Sequence, residues 1–195
     1  VRSLATGEVR SWLNIQSFAF SNNSTHLMLR RGQPRETDAG NGSGNRPGSR
    51  DPEGSSVSHG VDVILHDLAN ARDLLLGSVG DISFNKRGDL LAYTVDAASM
   101  DGNGLYVLEL ESGRMHVLDN AGMKYSRLTW DEGGTALAVL KGLDVEGMRE
   151  RDNVLMAFPN VEETLAGGGA TSPLSLDPKS VPGFPEGWVV SELDP

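Results

Sequence analysis

The chain has 195 residues with 38% hydrophobic, 23% charged and 6% aromatic side chains, which excludes a wholly disordered protein and leaves enough apolar surface for one core at roughly 100–200 residues per domain. A formal charge of −10 and a pI near 4.8 argue against nucleic-acid or anionic-membrane partners, which need clustered Lys and Arg. The absence of cysteine removes disulfides, thiolate metal sites and cysteine nucleophiles, and no apolar run approaches the roughly 18 residues of a membrane span. The compartment stays open, with a periplasmic or secreted location favoured over the cytoplasm.

Twenty-four glycines and nine prolines point to many turns and short elements, and so to an all-β fold. In chain order, Val1 opens a stretch with neither methionine nor a signal-like segment, which suggests a processed form or an excerpt of a longer protein. Residues 4–8 fit the same frame as residues 110–114, so the chain is expected to begin at the tail of a repeat.

Residues 17–27 then align with 81–91 and 127–137, placing Phe20 over Phe84 and Trp130, and Leu27 over Leu91 and Leu137. Each copy carries a large apolar pair at i, i+2, a polar or glycine-containing turn, and a second apolar run, which spells a β-hairpin. A second strand pair follows, most clearly in residues 65–72 against 107–114, and residues 153–158 supply the matching third strand of the last unit. Four strands per unit at about 40–50 residues is the signature of a β-propeller blade. The expected organisation is a partial propeller over 1–158, with blade repeats near 15–76, 79–118 and 125–158, then an inter-blade linker and the start of a new strand over 159–195. About three repeats cannot close a ring of four to eight blades. Such an arc should be marginal or self-associating, because each end leaves an apolar blade face open.

The connections read as follows. Residues 32–60 are rich in Gly, Ser, Pro, Asn and Arg and are expected to form a flexible insertion. Residues 96–104 end in Asp-Gly and Asn-Gly pairs and should form an ordered, exposed turn. The charged stretch 143–152 reads as a solvated loop, residues 162–165 as a short helical turn, and Gly187 to Ser191 as a new strand.

Catalytic signatures are missing. No serine sits in a Gly-x-Ser-x-Gly turn, no His-Glu-x-x-His occurs, and the glycine run 40–44 neither follows a buried strand nor opens a helix. His26, His59, His66 and His116 lie in separate repeats or loops without ligand spacing; His66 and His116 alternate with apolar neighbours and are expected to be exposed or half-buried. Glu162-Glu163 and Asp131-Glu132 could hold an ammonium group but read as solvated surface. The Asn-x-Ser spacings at Asn22 and Asn41 are too short a signal to use. Trp12, Phe18, Phe20, Phe84, Trp130 and Phe158 are expected in blade-to-blade cores. No catalytic, cofactor-binding or metal residue is assigned, and no cofactor is expected.

Residues 84–93, Phe-Asn-Lys-Arg-Gly-Asp-Leu-Leu-Ala-Tyr, resemble the Phe-Ser-Pro-Asp-Gly-x-x-Leu-Ala-Tyr hairpin of TolB-like and prolyl-oligopeptidase-like propellers. Residues 107–114 resemble their Val-x-Asp-Leu-x-Thr-Gly-x strand pair, and the string 140–155 is similar to large bacterial peptidases of that family. The resemblance implies an N-terminal propeller capping an α/β-hydrolase domain that holds the whole Ser-Asp-His triad, none of which maps onto these residues. It further implies a segment that gates and sizes peptide substrates, whose acidic balance would steer cationic peptide ends over about 8–10 Å. The alternative is a TolB-like or WD-type scaffold that binds a protein partner and has no enzymatic half.

Overall fold

A computed structural model describes residues 1–32, 59–167 and 172–192. The insertion expected at 32–60 lies outside these residues except at its ends, as does its glycine run. Seven antiparallel strands form one sheet in sequence order: β1 (Ile15–Phe20), β2 (His26–Arg31), β3 (Val61–Asp67), β4 (Arg72–Phe84), β5 (Leu90–Val95), β6 (Gly104–Glu109) and β7 (Met115–Asp119). A second sheet holds β8 (Lys124–Trp130), β9 (Leu137–Leu143), β10 (Asp152–Phe158) and β11 (Leu174–Leu176) in the order β11-β10-β9-β8, with helix α1 (Val161–Ala166) between β10 and β11.

The long strand β4 belongs to two blades. Its first part, Arg72 to Leu76, pairs with β3 and its last part, Ile82 to Phe84, pairs with β5, with a register break between Val79 and Ile82. Ser78 takes a φ of 52° beside that break, and the bulge turns the ladder from the outer strand of one blade into the inner strand of the next. The three blades are therefore β1 to early β4, late β4 to β7, and β8 to β11. They form an open part of a β-propeller.

Strand alternation divides the core into layers between blades. Leu91 and Tyr93 of β5 join Val63, Leu65, Leu76 and Val79 of the first blade, whereas Leu90 and Ala92 of the same strand join Leu137, Val139, Met156 and Phe158 of the third. Val161 of α1 is fully buried at the end of the second layer, and Leu165 packs against it. A third, smaller cluster of Leu27, Leu29 and Ile64 lies on the front of the first blade and is covered by Trp12 and Ile15.

The hairpin joining the first two strands of each blade is closed the same way three times. Ser21, Asn85 and Asp131 occupy equivalent positions, and each accepts backbone N–H groups from its own turn. The turns also stack from blade to blade. Asn22 donates to the Lys86 carbonyl at 2.8 Å, and Asn85, fully buried, donates to the Gly134 carbonyl at 3.3 Å.

Several expectations need correction. Phe18 and Phe20 are 67% and 48% exposed rather than buried, because no blade among the described residues stands in front of β1. Phe84, Trp130 and the fully buried Phe158 do lie in the blade-to-blade cores as expected, whereas Trp12 covers the front cluster of the first blade instead. Residues 187–191 form no strand: Val190 and Glu192 run beside the third blade, held by Asn153 and Arg127, but no strand among the described residues pairs with them. In the turn at 96–104, the positive φ falls on Met100 at 59°, and Asn103 is fully buried, accepting from the Ala97 N–H at 2.7 Å. Residues 162–165 lie in α1, capped by the Asn160 side chain, and 144–151 form the loop between β9 and β10.

Candidate functional site

The first strands of the three blades, β1, late β4 and β8, form the inner side of the arc, where a propeller has its channel. Polar groups on these strands are met by the adjacent blade. The Asp81 carboxylate accepts the Leu128 N–H at 3.1 Å, and the Trp130 indole donates to the Ser83 carbonyl at 3.2 Å. Arg30 donates to the Gly80 carbonyl at 2.8 Å, fixing the bulge in β4. These contacts stiffen the inner wall because each satisfies a donor or acceptor that the ladder leaves over.

Among the described residues, grooves open at the turn end of the arc. One of about 360 Å³ lies between the first two blades beside His26, Asp67, Arg72 and Glu111. The next, about 460 Å³, lies between the second blade and α1 beside Arg87, Glu109, Arg114 and Glu162. The third, about 400 Å³, separates the N-terminal hairpin from the first blade beside Glu8, Arg10 and His66. Their rims carry both signs of charge, and among the described residues no group of His, Asp and Glu is arranged to hold a metal ion.

The histidines are placed as follows. His66 is buried, not half-exposed: its Nδ1 lies 2.6 Å from the Asp73 carboxylate, and the Trp12 ring meets it edge-on at 4.9 Å. Asp73 makes that burial possible by pairing across the β3–β4 hairpin. Arg10 joins this cluster, donating to the Ala71 carbonyl and approaching Asp73 at 3.8 Å. Burial would raise the Asp73 carboxyl, but hydrogen bonds from Trp12 and His66 and the charge of Arg10 outweigh it and hold the group below its ordinary range. The cluster ties residues 1–14 to the first blade.

His26, opposite Asp67 and on the other face of the sheet from His66, is also buried; desolvation lowers its pKa, with Asp67 opposing and His66 adding to the shift. His116 is half-buried and pairs with Glu109 at 2.7 Å. His59 sits 3.7 Å from Asp96. The four histidines thus converge on no common centre.

The carboxylate pairs resolve into structural roles. Glu162 pairs with Arg87 and anchors α1 to the hairpin of the second blade. Asp131 accepts the N–H groups of Ala136, Thr135 and Gly133, which lower its pKa. Between the second and third blades, Tyr125 donates to Asp119, which also pairs with Lys141 at 2.7 Å; burial, then the Asp119 contact, pushes the Tyr125 phenol up. Tyr93 is pushed up to about 12 by burial and by Tyr106 stacked on it at 5.4 Å. The sequence offered no signal for the Trp12–His66–Asp73–Arg10 cluster beyond the seven-residue spacing of His66 and Asp73 across a hairpin.

No family model and no curated protein matches the sequence. Solved structures match the fold. The chain is similar to dipeptidyl peptidase 4 of Porphyromonas gingivalis over 93% of its own length and 28% of that chain, at 12% identity and a TM-score of 0.52. It is also similar to the β-propeller domain of the Trilobed protease from Pyrococcus furiosus (71% of this chain, 37% of that one, 10% identity, TM-score 0.42). A third match is a eukaryotic initiation factor (84% and 33%, 7% identity, TM-score 0.43). The protein is a partial β-propeller. Its blades share the fold found in the dipeptidyl peptidase 4 structure, and the chain spans well under half the length of each of these three.

Proposed function

We propose that the chain is the non-catalytic propeller segment of a prolyl-oligopeptidase-like serine peptidase, gating and sizing peptide substrates for a separate α/β-hydrolase domain of the same polypeptide. The observation that carries this reading is the likeness to dipeptidyl peptidase 4 across 93% of the chain, together with the hairpin string at residues 84–93. The inner wall of β1, late β4 and β8, braced by Asp81 and Trp130, suits a rigid passage that admits an extended peptide and refuses a folded protein. In this reading the nucleophile lies outside the 195 residues, and these side chains act by restricting access.

The test is to capture the native protein with an antibody to this segment and treat it with a fluorophosphonate probe for activated serines. Labelling of a band far larger than 20.8 kDa is expected. Absence of labelling, with a control hydrolase active in the same extract, would overturn the peptidase reading and assign the propeller to a protein-binding scaffold.

A further inference from the structure

The groove of about 360 Å³ between the first two blades differs in its floor from the equivalent groove between the second blade and α1. The repeat that sets Leu27 over Leu91 sets His26 over Leu90, so the second groove has a leucine where the first has a histidine. His26 is only 9% exposed, and a buried ring nitrogen without a partner carries a cost that leucine avoids.

The turn beside His26 fixes which nitrogen holds the proton. The Thr25 backbone N–H can only donate, so the Asn23 side-chain atom it meets at 3.2 Å is the amide oxygen Oδ1. The Thr25 hydroxyl gives its one proton to the same oxygen at 2.7 Å, and it therefore accepts from His26 Nδ1, 2.9 Å away. Burial lowers the His26 pKa and keeps the ring neutral, so Nδ1 holds its only proton. Nε2 is left as an acceptor with no hydrogen bond among the described residues. With Nδ1 on the turn, Nε2 is the end of the ring left for the groove.

The surroundings suit a cation on an aliphatic stem. Asp67 is the cross-strand partner of His26, on the face turned to the second blade, and hydrogen bonds from Asn70 and Ala69 hold its carboxyl below the ordinary range. Glu111 adds a carboxylate from the second blade, against the one guanidinium of Arg72. Asp73 borders the groove too, but its carboxylate is engaged by His66 and Trp12 on the other face. Leu65 and Leu74 of the first blade and Leu108 and Leu110 of the second supply apolar walls. We propose that this groove binds a primary alkylammonium group, the chemistry of a lysine side chain or of a free aliphatic diamine. Its three N–H donors meet His26 Nε2 and the carboxylates of Asp67 and Glu111, and its stem lies along the leucines. The second groove lacks this set: Leu90 replaces His26, and Glu109, the counterpart of Asp67, is engaged by His116 and Ser112. Both walls of the first groove belong to blades complete within the chain, and the inference stands apart from the peptidase reading.

Titration calorimetry of the full chain with N-acetyl-lysine amide, and separately with cadaverine, decides it. Saturable binding at millimolar concentration is expected, with none for the side-chain-acetylated lysine amide, which keeps the stem and loses the charge. Binding of the lysine amide assigns the site to a lysine side chain of a peptide, and binding of cadaverine alone assigns it to a free amine. His26→Leu, which places there the residue of the second groove, is expected to weaken binding at least about tenfold, and Glu111→Gln about threefold. Glu111 is exposed, so its variant should keep the parent far-ultraviolet circular dichroism. Two-bond proton–nitrogen NMR of His26 is expected to show the proton on Nδ1 and an Nε2 resonance that moves as the probe is added. Binding undiminished in His26→Leu, a free ring protonated on Nε2, or no binding of either probe would overturn the proposal.

Discussion

Gly88 separates the two contributions that a repeat glycine makes. It carries a φ of +76°, and a Cβ added there would stand 2.7 Å from the Asn23 backbone nitrogen and 2.9 Å from that of Asn22, in the hairpin of the adjacent blade. Gly113 has a φ of +69° with nothing within 4 Å. Alanine at either site forces a left-handed backbone on an L-residue, at roughly 1–2 kcal/mol. At Gly88 the methyl also pushes the two turns apart and strains the Asn22 bond to the Lys86 carbonyl, adding about 1 kcal/mol. Gly88→Ala should therefore cost roughly 2–3 kcal/mol and Gly113→Ala roughly 1–2 kcal/mol. Urea denaturation of the two variants beside the parent chain measures the difference. Equal losses, or a larger loss at Gly113, would refute the claim that the hairpins bear on one another across the blade boundary.

Asn85→Ala is expected to cost roughly 2–4 kcal/mol, since the Gly88, Asp89 and Leu90 N–H groups, two of them buried, lose the side-chain acceptor they share; a loss below 1 kcal/mol on the same denaturation curve, about the value of a single hydrogen bond, would contradict that role. His26 has a depressed pKa when folded, so the unfolded chain binds its proton first, and stability should fall as pH drops below its ordinary value of 6.5. His26→Leu, which places there the residue found at the equivalent Leu90, should abolish that loss while leaving the steeper one near and below 3.8, where the depressed Asp73, Asp89 and Asp144 protonate; melting temperature against pH separates the two ranges. Ala71 holds a φ of 53° at the position occupied by Gly113 in the next blade, so Ala71→Gly should stabilise by about 1 kcal/mol, and a destabilised variant in thermal melting would count against the equivalence.

The features legible in the sequence are those set by period and by turn chemistry. Apolar pairs such as Ile82 with Phe84 and Leu128 with Trp130 marked strands because a pleated strand buries alternate residues, and Gly88 and Gly134 marked hairpins because few other residues accept a positive φ. What was not legible depends on neighbours. Phe18 and Phe20 carry the core pattern and stay exposed because exposure depends on the blade in front. His66 is buried because Asp73, Trp12 and Arg10 surround it, and only the folded hairpin brings them together. The repeats were expected to part between residues 76 and 79, yet Ser78 takes the strain of a bulge and lets β4 run through. The stretch 187–191 has strand composition but joins no ladder among the described residues, and composition alone makes none. For the site, the sequence showed the absence of catalytic motifs, while the grooves and the braced inner wall arise from contacts between residues tens of positions apart.

The most direct test of the stacked-blade arrangement is a disulfide between the hairpins of the second and third blades. The chain has no cysteine, so Lys86→Cys with Gly134→Cys introduces the one possible pair. A Cβ at Gly134 would lie 2.8 Å from the Lys86 Cβ and 2.6 Å from the Lys86 backbone nitrogen, at a φ of +73°, and disulfides hold Cβ atoms about 3.5–4.5 Å apart, so the turns must part by about one ångström and the variant carries a left-handed strain like that of Gly88→Ala. Under mild oxidation of the folded chain, complete intramolecular cross-linking that is lost in denaturant is expected. Free thiols or only intermolecular products, from a variant that remains folded, would contradict the blade packing on which the account rests.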